Sequence, residues 1–415
     1  MNNIPISNES EGKLSKITML LLAVFPITCY YVTLEGFSNG HLLFLLMTLL
    51  SIINGMSIRK MNYTKQYWLF WGYAAIALIT TSGLRITHLI PGGINFFMFS
   101  LFLGLCSYNY NQRLLYRYLK LVFIISAVIF LGQELTYMVT GNRIAVVLPL
   151  GTHLSYENLT LPEFKYLQEL RGRSSSVFCE PAYFAIYSLI VLTVDMYLLQ
   201  EDVFLSKFST FTILIIILSR SGCGFVGLIF LLILRTFFFL RKTRGKQKIY
   251  FVLCTIPILA VLSYFYVTSE MGTNMIDRSS ELSGEISNSS GFVRVVRGFL
   301  IFESLPFINK LLGVSMEELP QFSSLIAGGV DDYVYLNGVQ TLLLQNGLIG
   351  LILFISVLVV IYIKGNILSK VLVALFVLFC LIEQVYLMAP MLLCLTIANN
   401  NRKYEDSILV TNSSV

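Results

Sequence analysis

Apolar runs of about 17 to 25 residues recur along the whole sequence, and each is long enough to cross a hydrocarbon core of about 30 Å. The chain is 56% hydrophobic and only 13% charged, whereas roughly a quarter of the residues in a soluble domain are charged. Lipid offers the backbone no hydrogen-bond partners, so these runs must form helices. The sequence therefore predicts an all-α fold, a polytopic membrane helical bundle of about 12 transmembrane helices.

Lysine and arginine positions predict the orientation of these helices, because cytoplasmic loops carry an excess of both residues. The densest basic loop is RKTRGKQK, Arg241–Lys248, which we place in the cytoplasm together with both termini. The net charge of +6 then reflects loops that face anionic lipid, and we predict no nucleic-acid partner. The predicted spans are 16–34, 41–57, 66–82, 93–108, 119–140, 177–199, 206–219, 221–240, 249–268, 336–363, 369–384 and 386–398.

This topology divides the chain into five segments and places two long loops outside. The segments are an N-terminal membrane bundle over 1–140, a first extracytoplasmic loop over 141–176, central spans over 177–268, a large extracytoplasmic loop over 269–335, and C-terminal spans with a cytoplasmic tail over 336–415. Within the large loop, FVRVVRGFLIFESLPF has apolar residues at helical spacing, and Arg294 and Arg297 share one helix face. We predict a surface helix whose arginines act together on a ligand or, alternatively, contact lipid phosphates.

No histidine or cysteine pattern in the sequence predicts a metal site. The seven cysteines lack paired spacing and lie mainly in apolar runs, as small buried residues do. The three histidines are scattered at His41, His88 and His153. We therefore predict no cofactor, no resident metal and no disulfide framework.

Arg220 lies in LSRSGCGF, a turn between two apolar runs. The run from Lys207 to Ser219 amounts to about 18 Å of helix, which is well short of a full crossing. Arg220 is therefore expected at membrane depth facing a cavity, where a charged side chain is a functional candidate. The alternative is an arginine that extends outward from a tilted hairpin.

Several arginines fall on the outer side of this topology, where the positive-inside rule disfavours them. We expect an anion on the outer side of the membrane to compensate the positive charge of these arginines. The planar guanidinium group of arginine suits bidentate binding of phosphate. The pattern predicts an outward-facing, phosphate-binding cavity in the bilayer. Its candidate residues are Arg171, Arg173, Arg220, Arg278, Arg294 and Arg297.

Acidic residues near these arginines are candidates for acid–base chemistry. Glu180 precedes a proline at the start of the sixth span, where the helix dipole alone also favours an acid. Asp331 and Asp332, in DDYVYLNG, are predicted to be a base or salt-bridge partners of the arginines, and Mg²⁺ binding with substrate phosphates is the alternative. Three further acids within spans are expected to face the bundle interior, as hydrogen-bonding or catalytic groups: Glu134, Asp195 and Glu383.

Four short motifs follow one another from about residue 171 to the end of the chain. They are RSSSVFCEPAYFAIY, ILSRSGCGFVGLIF, RVVRGF followed by LLGVS, and LNGVQTLLLQNGLIGLILF. In this order they resemble the oligosaccharide repeat-unit polymerases, the Wzy-type enzymes of the O-antigen polymerase/ligase superfamily. The first 140 residues are similar to that family only in being apolar spans.

The resemblance implies a multi-pass glycosyltransferase that joins undecaprenyl-diphosphate-linked oligosaccharides on the outer face of the bacterial cytoplasmic membrane. The product would be O-antigen, capsule or exopolysaccharide, and the expected partners are membrane lipids, a chain-length regulator and a flippase. Glu180 and Arg220 are expected to be catalytic, Glu180 by orienting an arginine or accepting the acceptor's proton. The expected diphosphate-binding residues are Arg171, Arg173, Arg220, Arg294 and Arg297, with Arg278 as a further candidate.

The sequence also departs from the family. An Arg-x10-Gly spacing found in the outer loops of some polymerases is absent here, and no histidine follows His153. Since the ligase branch usually carries a histidine in the second outer loop, its absence favours a polymerase. The alternatives are the ligase of the same superfamily, a flippase for lipid-linked sugars, which would be expected to show internal repeats, and a structural membrane protein.

Overall fold

The computed structural model describes the helical bundle and parts of the connecting segments. The described residues are 13–34, 37–53, 65–82, 93, 96–103, 112–154, 159–170, 173–199, 203–242, 264, 296–315, 318–319, 322, 336–383 and 389–399. The helices are α1 (Lys13–Thr28), α2 (Asn39–Ile53), α3 (Lys65–Ser82), α4 (96–103), α5 (Gln112–Thr140), α6 (Leu161–Leu170), α7 (Pro181–Val194), α8 (Lys207–Leu218), α9 (Gly222–Lys242), α10 (Gly298–Ser304), α11 (Phe307–Leu312), α12 (Gly338–Lys364), α13 (Ile367–Ile382) and α14 (Ala389–Asn399). A π-helical turn, Asp195–Leu199, extends α7.

Four described helices are long and apolar enough to cross a membrane: Gln112–Thr140, Pro181–Leu198, Gly222–Arg241 and Gly338–Lys364. Five shorter apolar helices pack with them, namely α1, α2, α8, α13 and α14. The chain is therefore mainly helical and has the character of a membrane protein. The predicted ninth span, 249–268, lies almost entirely outside the described residues.

One end of the bundle collects basic side chains, and we call it the basic end. Asp195, at the end of α7, accepts hydrogen bonds there from Tyr116 at the start of α5 and from Ser206 and Ser209 at the start of α8. The start of α13 meets the end of α14 through the Ser369 hydroxyl, which donates to the Ala398 carbonyl at 2.7 Å. Cations near this end of the bundle include Arg113, Arg117, Lys120, Lys207, Arg235, Arg241, Lys364 and Lys370.

The opposite end, which we call the loop end, is where α5, α8 and α13 finish and where α7, α9 and α12 begin. The Gly338 amide donates to the Glu383 carbonyl at 2.9 Å, so the start of α12 meets the end of α13. Both α9 and α12 run from the loop end to the basic end.

The first predicted span, 16–34, is wrong at its C-terminal boundary. Helix α1 ends at Thr28, and the strand β1 (Tyr31–Leu34) follows it. This strand pairs antiparallel with β2 (Phe37–Ser38) and with β3 (His153–Leu154) in a small sheet. The apolar residues of β1 mimic the end of a span, and their pairing with residues about 120 positions away is not visible in local hydropathy.

Helix α12 is kinked at Gly347, which adopts a left-handed φ of 62°. The kink brings α11 against α12, since a Cβ atom on Gly347 would overlap the carbonyl oxygen of Leu311. The Tyr73 hydroxyl of α3 donates to the Asn346 carbonyl at 2.7 Å and lies within 3.2 Å of the Leu311 carbonyl. Only glycine satisfies both the conformation and the close approach at this position.

We therefore expect Gly347→Ala to destabilise the protein by at least about 2 kcal/mol, because left-handed strain and overpacking add together. Thermal unfolding of the purified protein in detergent measures this loss. Gly132→Ala in α5 is the matched control, since its Cβ would meet no atom within 4 Å and alanine favours a helix. Equal melting temperatures for the two variants would contradict this explanation of the kink.

Candidate functional site

The segment from Arg173 to Glu180 forms the entrance to α7 at the loop end. Its serines are buried although they belong to a connecting segment, and side chains from two neighbouring elements hold them. The Ser176 amide donates to Gln133 Oε1 of α5 at 2.9 Å, and Gln168 Nε2 of α6 donates to Ser175 Oγ at 3.0 Å. Gln168 also donates to the carbonyls of Phe178 and Cys179. These bonds satisfy buried polar groups and fix the path of the chain.

Arg173 and Arg220 come together at this end. Nη1 of Arg173 donates a hydrogen bond to the backbone carbonyl of Arg220 at 3.3 Å, and both side chains are exposed. The structure thus brings together two of the arginines that the sequence analysis selected. The two exposed residues therefore carry two guanidinium groups at the same end of the bundle, and guanidinium groups suit an anionic ligand.

The backbone at Arg220 and at Ser176, three residues after Arg173, is also strained. Among the described residues, Ser176 and Arg220 are the non-glycine residues with positive φ, at 57° and 52°. Such conformations cost of order 1 to 3 kcal/mol and concentrate at functional sites. The Arg220 conformation follows a short α8, which ends at Leu218, and turns the chain directly into α9. The predicted shortness of this helix is confirmed.

Glu180 is the N-cap residue of α7, and its side chain makes no capping hydrogen bond. The proline at the next position occupies the first helical turn, as the sequence predicts. The carboxylates of Glu180 and Glu383 both lie within electrostatic range of the Tyr183 hydroxyl, one turn into α7. Two acids and a phenol therefore share the loop end with the arginine pair. Sequence analysis missed Tyr183, although EPAYF places it one turn after the acid.

Arg297 is at the loop end but is buried, with 6% of its surface exposed. It precedes α10, whose first residue, Gly298, packs so closely on Gln340 of α12 that a Cβ atom would come within 2.6 Å of that side chain. The sequence analysis placed Arg297 on a surface helix. The structure instead packs this helix against α12, since glycine beside the arginine permits the close approach.

A fourth described arginine at the loop end, Arg143, was not predicted from the sequence as a site residue. Arg143 Nη1 contacts Glu134 Oε1 at 2.8 Å and Ser174 Oγ at 2.9 Å, and its guanidinium lies 3.9 Å from the centre of the Tyr137 ring. The predicted inward orientation of Glu134 is confirmed, and its role here is a buried ion pair. Because Ser174 adjoins Arg173, this pair positions the arginine-bearing segment. Spacing alone gives no signal for such a contact.

The remaining selected residues lie outside the described part of the chain: Arg171, Arg278, Arg294, Asp331 and Asp332. Within the described part, no three residues among His, Cys, Asp and Glu form a group that could hold a metal ion. The chemistry that the described site offers is thus cationic, from guanidinium groups, and acidic, from Glu180 and Glu383.

The comparisons with known proteins do not assign a family. No protein-family model matches the sequence, and no curated protein matches it.

Proposed function

We propose that this protein is a membrane-embedded glycosyltransferase that polymerises oligosaccharide repeat units carried on undecaprenyl diphosphate. The observation that carries this proposal is the Arg173–Arg220 pair at the loop end, with the carboxylate of Glu180 at the entrance of α7. The resemblance of the ordered motifs to repeat-unit polymerases supports it. In this proposal the basic end faces the cytoplasm and the loop end faces outward in a bacterial cytoplasmic membrane.

The reaction transfers a growing glycan from its lipid diphosphate to a hydroxyl of another lipid-linked unit. The acceptor oxygen forms a bond to the anomeric carbon of the donor's reducing-end sugar, and the bond between that carbon and the diphosphate oxygen breaks. Undecaprenyl diphosphate leaves with the electron pair, and the acceptor's proton passes to a carboxylate. This transfer requires no oxidant, reductant or metal.

Charge develops on the diphosphate as the glycosidic bond breaks, and preorganised arginines stabilise it most where water is scarce. Among the described residues we assign this role to Arg173 and Arg220, and Arg171, Arg278, Arg294 and the buried Arg297 are further candidates. Removing one such donor typically costs about 10²- to 10³-fold in rate. We assign the arginines to diphosphate binding and Arg220 to stabilising the leaving group.

The proton acceptor in this proposal is Glu180. Glu180 is the N-cap residue of α7, so its carboxylate lies at the end of the helix where the arginine pair lies. Positioned bases of this kind contribute about 10²- to 10⁴-fold. Glu383 is the described alternative, and Asp331 and Asp332 stay predictions from the sequence.

The test is polymer formation by the purified full-length protein, given only lipid-linked repeat units in detergent. We expect a ladder of glycan lengths on a gel and none from a heat-inactivated sample. A protein that is inert with these units but active once a different acceptor is added would be a ligase. Transport of intact units across a vesicle membrane without bond formation would identify a flippase. In cells, deletion of the gene is expected to leave single repeat units on the surface lipid.

A further inference from the structure

A cavity of about 280 Å³ opens at the basic end, away from the arginine pair. It lies between the π-helical turn that ends α7, the last two turns of α9 and the first turn of α13. Three cations and three aromatic rings line it: Arg235, Arg241, Lys370, Tyr197, Phe238 and Phe239. Among the described lining residues none is an acid, so the wall combines positive charge with apolar surface.

Helices α9 and α13 each present an apolar residue and a cation on the face that lines the cavity. Phe238 and Arg241 are three apart on α9, and Ile367 and Lys370 are three apart on α13, so each helix turns an apolar side chain and a cation toward the cavity. Arg241 is exposed and Lys370 is partly exposed. The cations are therefore accessible at the mouth, where a lipid phosphate would lie, and the apolar residues form the wall beside it.

One lining residue, Arg235, is buried and bonded to a neighbouring segment. Arg235 is buried, with 3% of its surface exposed, and its Nε donates to the Phe204 carbonyl at 3.2 Å while Nη2 donates to the Val203 carbonyl. Its guanidinium also lies 5.2 Å from the centre of the Tyr197 ring. This arginine ties the segment before α8 to α9 and so holds the cavity open between the helices.

We propose that this cavity binds the phosphate group of an anionic phospholipid from the leaflet at the basic end. Arg241 and Lys370 contact the phosphate, and the acyl chain lies against Phe238 and Ile367. Basic residues near a membrane surface attract anionic lipid in general, at about 1 kcal/mol per residue, equivalent to about fivefold in affinity. A concave wall built from two helices adds a specific site to that general attraction. This inference does not depend on the proposed enzymatic function.

Native mass spectrometry of the full chain tests this proposal, by titration with phosphatidylglycerol and with phosphatidylcholine of the same acyl chains. We expect the wild-type protein to retain phosphatidylglycerol preferentially. We expect the double variant Arg241→Gln/Lys370→Gln to bind phosphatidylglycerol at least about tenfold more weakly than the wild type. The matched control is Lys207→Gln/Lys364→Gln, which removes two exposed cations from the same end but outside the cavity. Its affinity is expected to fall clearly less than that of Arg241→Gln/Lys370→Gln, because it loses only the general attraction and not the contacts in the cavity.

Three outcomes would overturn the proposal. Equal weakening in both double variants would mean that only general attraction operates at this end. Equal retention of the two phospholipids by the wild-type protein would show that the phosphate charge is not recognised. Displacement of phosphatidylglycerol by inorganic phosphate at matched ionic strength would show that the cavity binds free phosphate and not a lipid. Circular dichroism of each variant verifies that the helices are retained, and Arg235 is left unchanged because it holds the fold.

Discussion

Arg220→Gly is expected to abolish long glycan chains while leaving the protein as stable as the wild type or more so. Arg220 has a left-handed φ of 52°, which costs a non-glycine residue roughly 1 to 2 kcal/mol and costs glycine almost nothing. Glycine also retains the backbone carbonyl that accepts the hydrogen bond from Arg173. The substitution therefore removes the guanidinium group and relieves the strain, so that a loss of activity is separated from a loss of folding.

The glycan ladder from cells that carry the variant measures chain length, and thermal unfolding of the purified protein measures stability. Because Arg220→Gly removes one hydrogen-bond donor to the leaving diphosphate, we expect the rate of polymerisation to fall about 10²- to 10³-fold. Arg220→Lys keeps the charge without the planar fork and is expected to give intermediate chains. Lys165→Ala removes an exposed cation of α6 from the first extracytoplasmic loop and is the control, with normal chains expected. Normal chain length in Arg220→Gly would remove this residue from the site.

Glu180→Gln is expected to slow polymerisation by purified protein about 10²- to 10⁴-fold, as the loss of a positioned base predicts. The fold is expected to survive, since glutamine is nearly isosteric and the Glu180 side chain makes no capping bond. The initial rate of polymer formation from lipid-linked repeat units measures the effect.

Two matched controls sharpen this result. Glu163→Gln changes a fully exposed carboxylate on α6, where glutamine can still accept the hydrogen bonds from the Thr160 hydroxyl and amide that lower the pKa of Glu163. Its rate is expected to match wild type. Glu383→Gln tests the second acid within electrostatic range of Tyr183. A full rate in Glu180→Gln together with a large loss in Glu383→Gln would transfer the role of base to Glu383.

The helices could be predicted from the sequence because lipid leaves the backbone only one way to satisfy its hydrogen bonds. The short run before Arg220 is a 12-residue helix, and the predicted burial of Asp195 is confirmed, with its carboxylate bound by side chains of two other helices. Such results follow from length and polarity, which are local properties. The predicted C-terminal boundary of the first span was wrong, because strand pairing with residues 153–154 overrides local hydropathy.

The candidate site was less predictable, since its geometry depends on contacts between distant residues. Sequence reasoning selected Arg173 and Arg220, which are 47 positions apart, but not the hydrogen bond that joins them. It also placed Arg297 on a surface, because a helical pattern of apolar residues does not tell lipid from a neighbouring helix. The close packing of Gly298 on Gln340 decides that question. Buried serines such as Ser176 are fixed by partners on α5 that spacing does not reveal.

The most direct measurement is the affinity of the full-length protein, in nanodiscs of neutral lipid, for undecaprenyl diphosphate. The arginine pair predicts binding at least about tenfold weaker in Arg173→Gln/Arg220→Gly than in wild type, because each charge-assisted hydrogen bond contributes about 1.5 to 3 kcal/mol. Undecaprenyl alcohol, which lacks the diphosphate, is expected to bind both proteins equally. Equal affinity of the two proteins for the diphosphate would contradict the assignment of this arginine pair as its binding site.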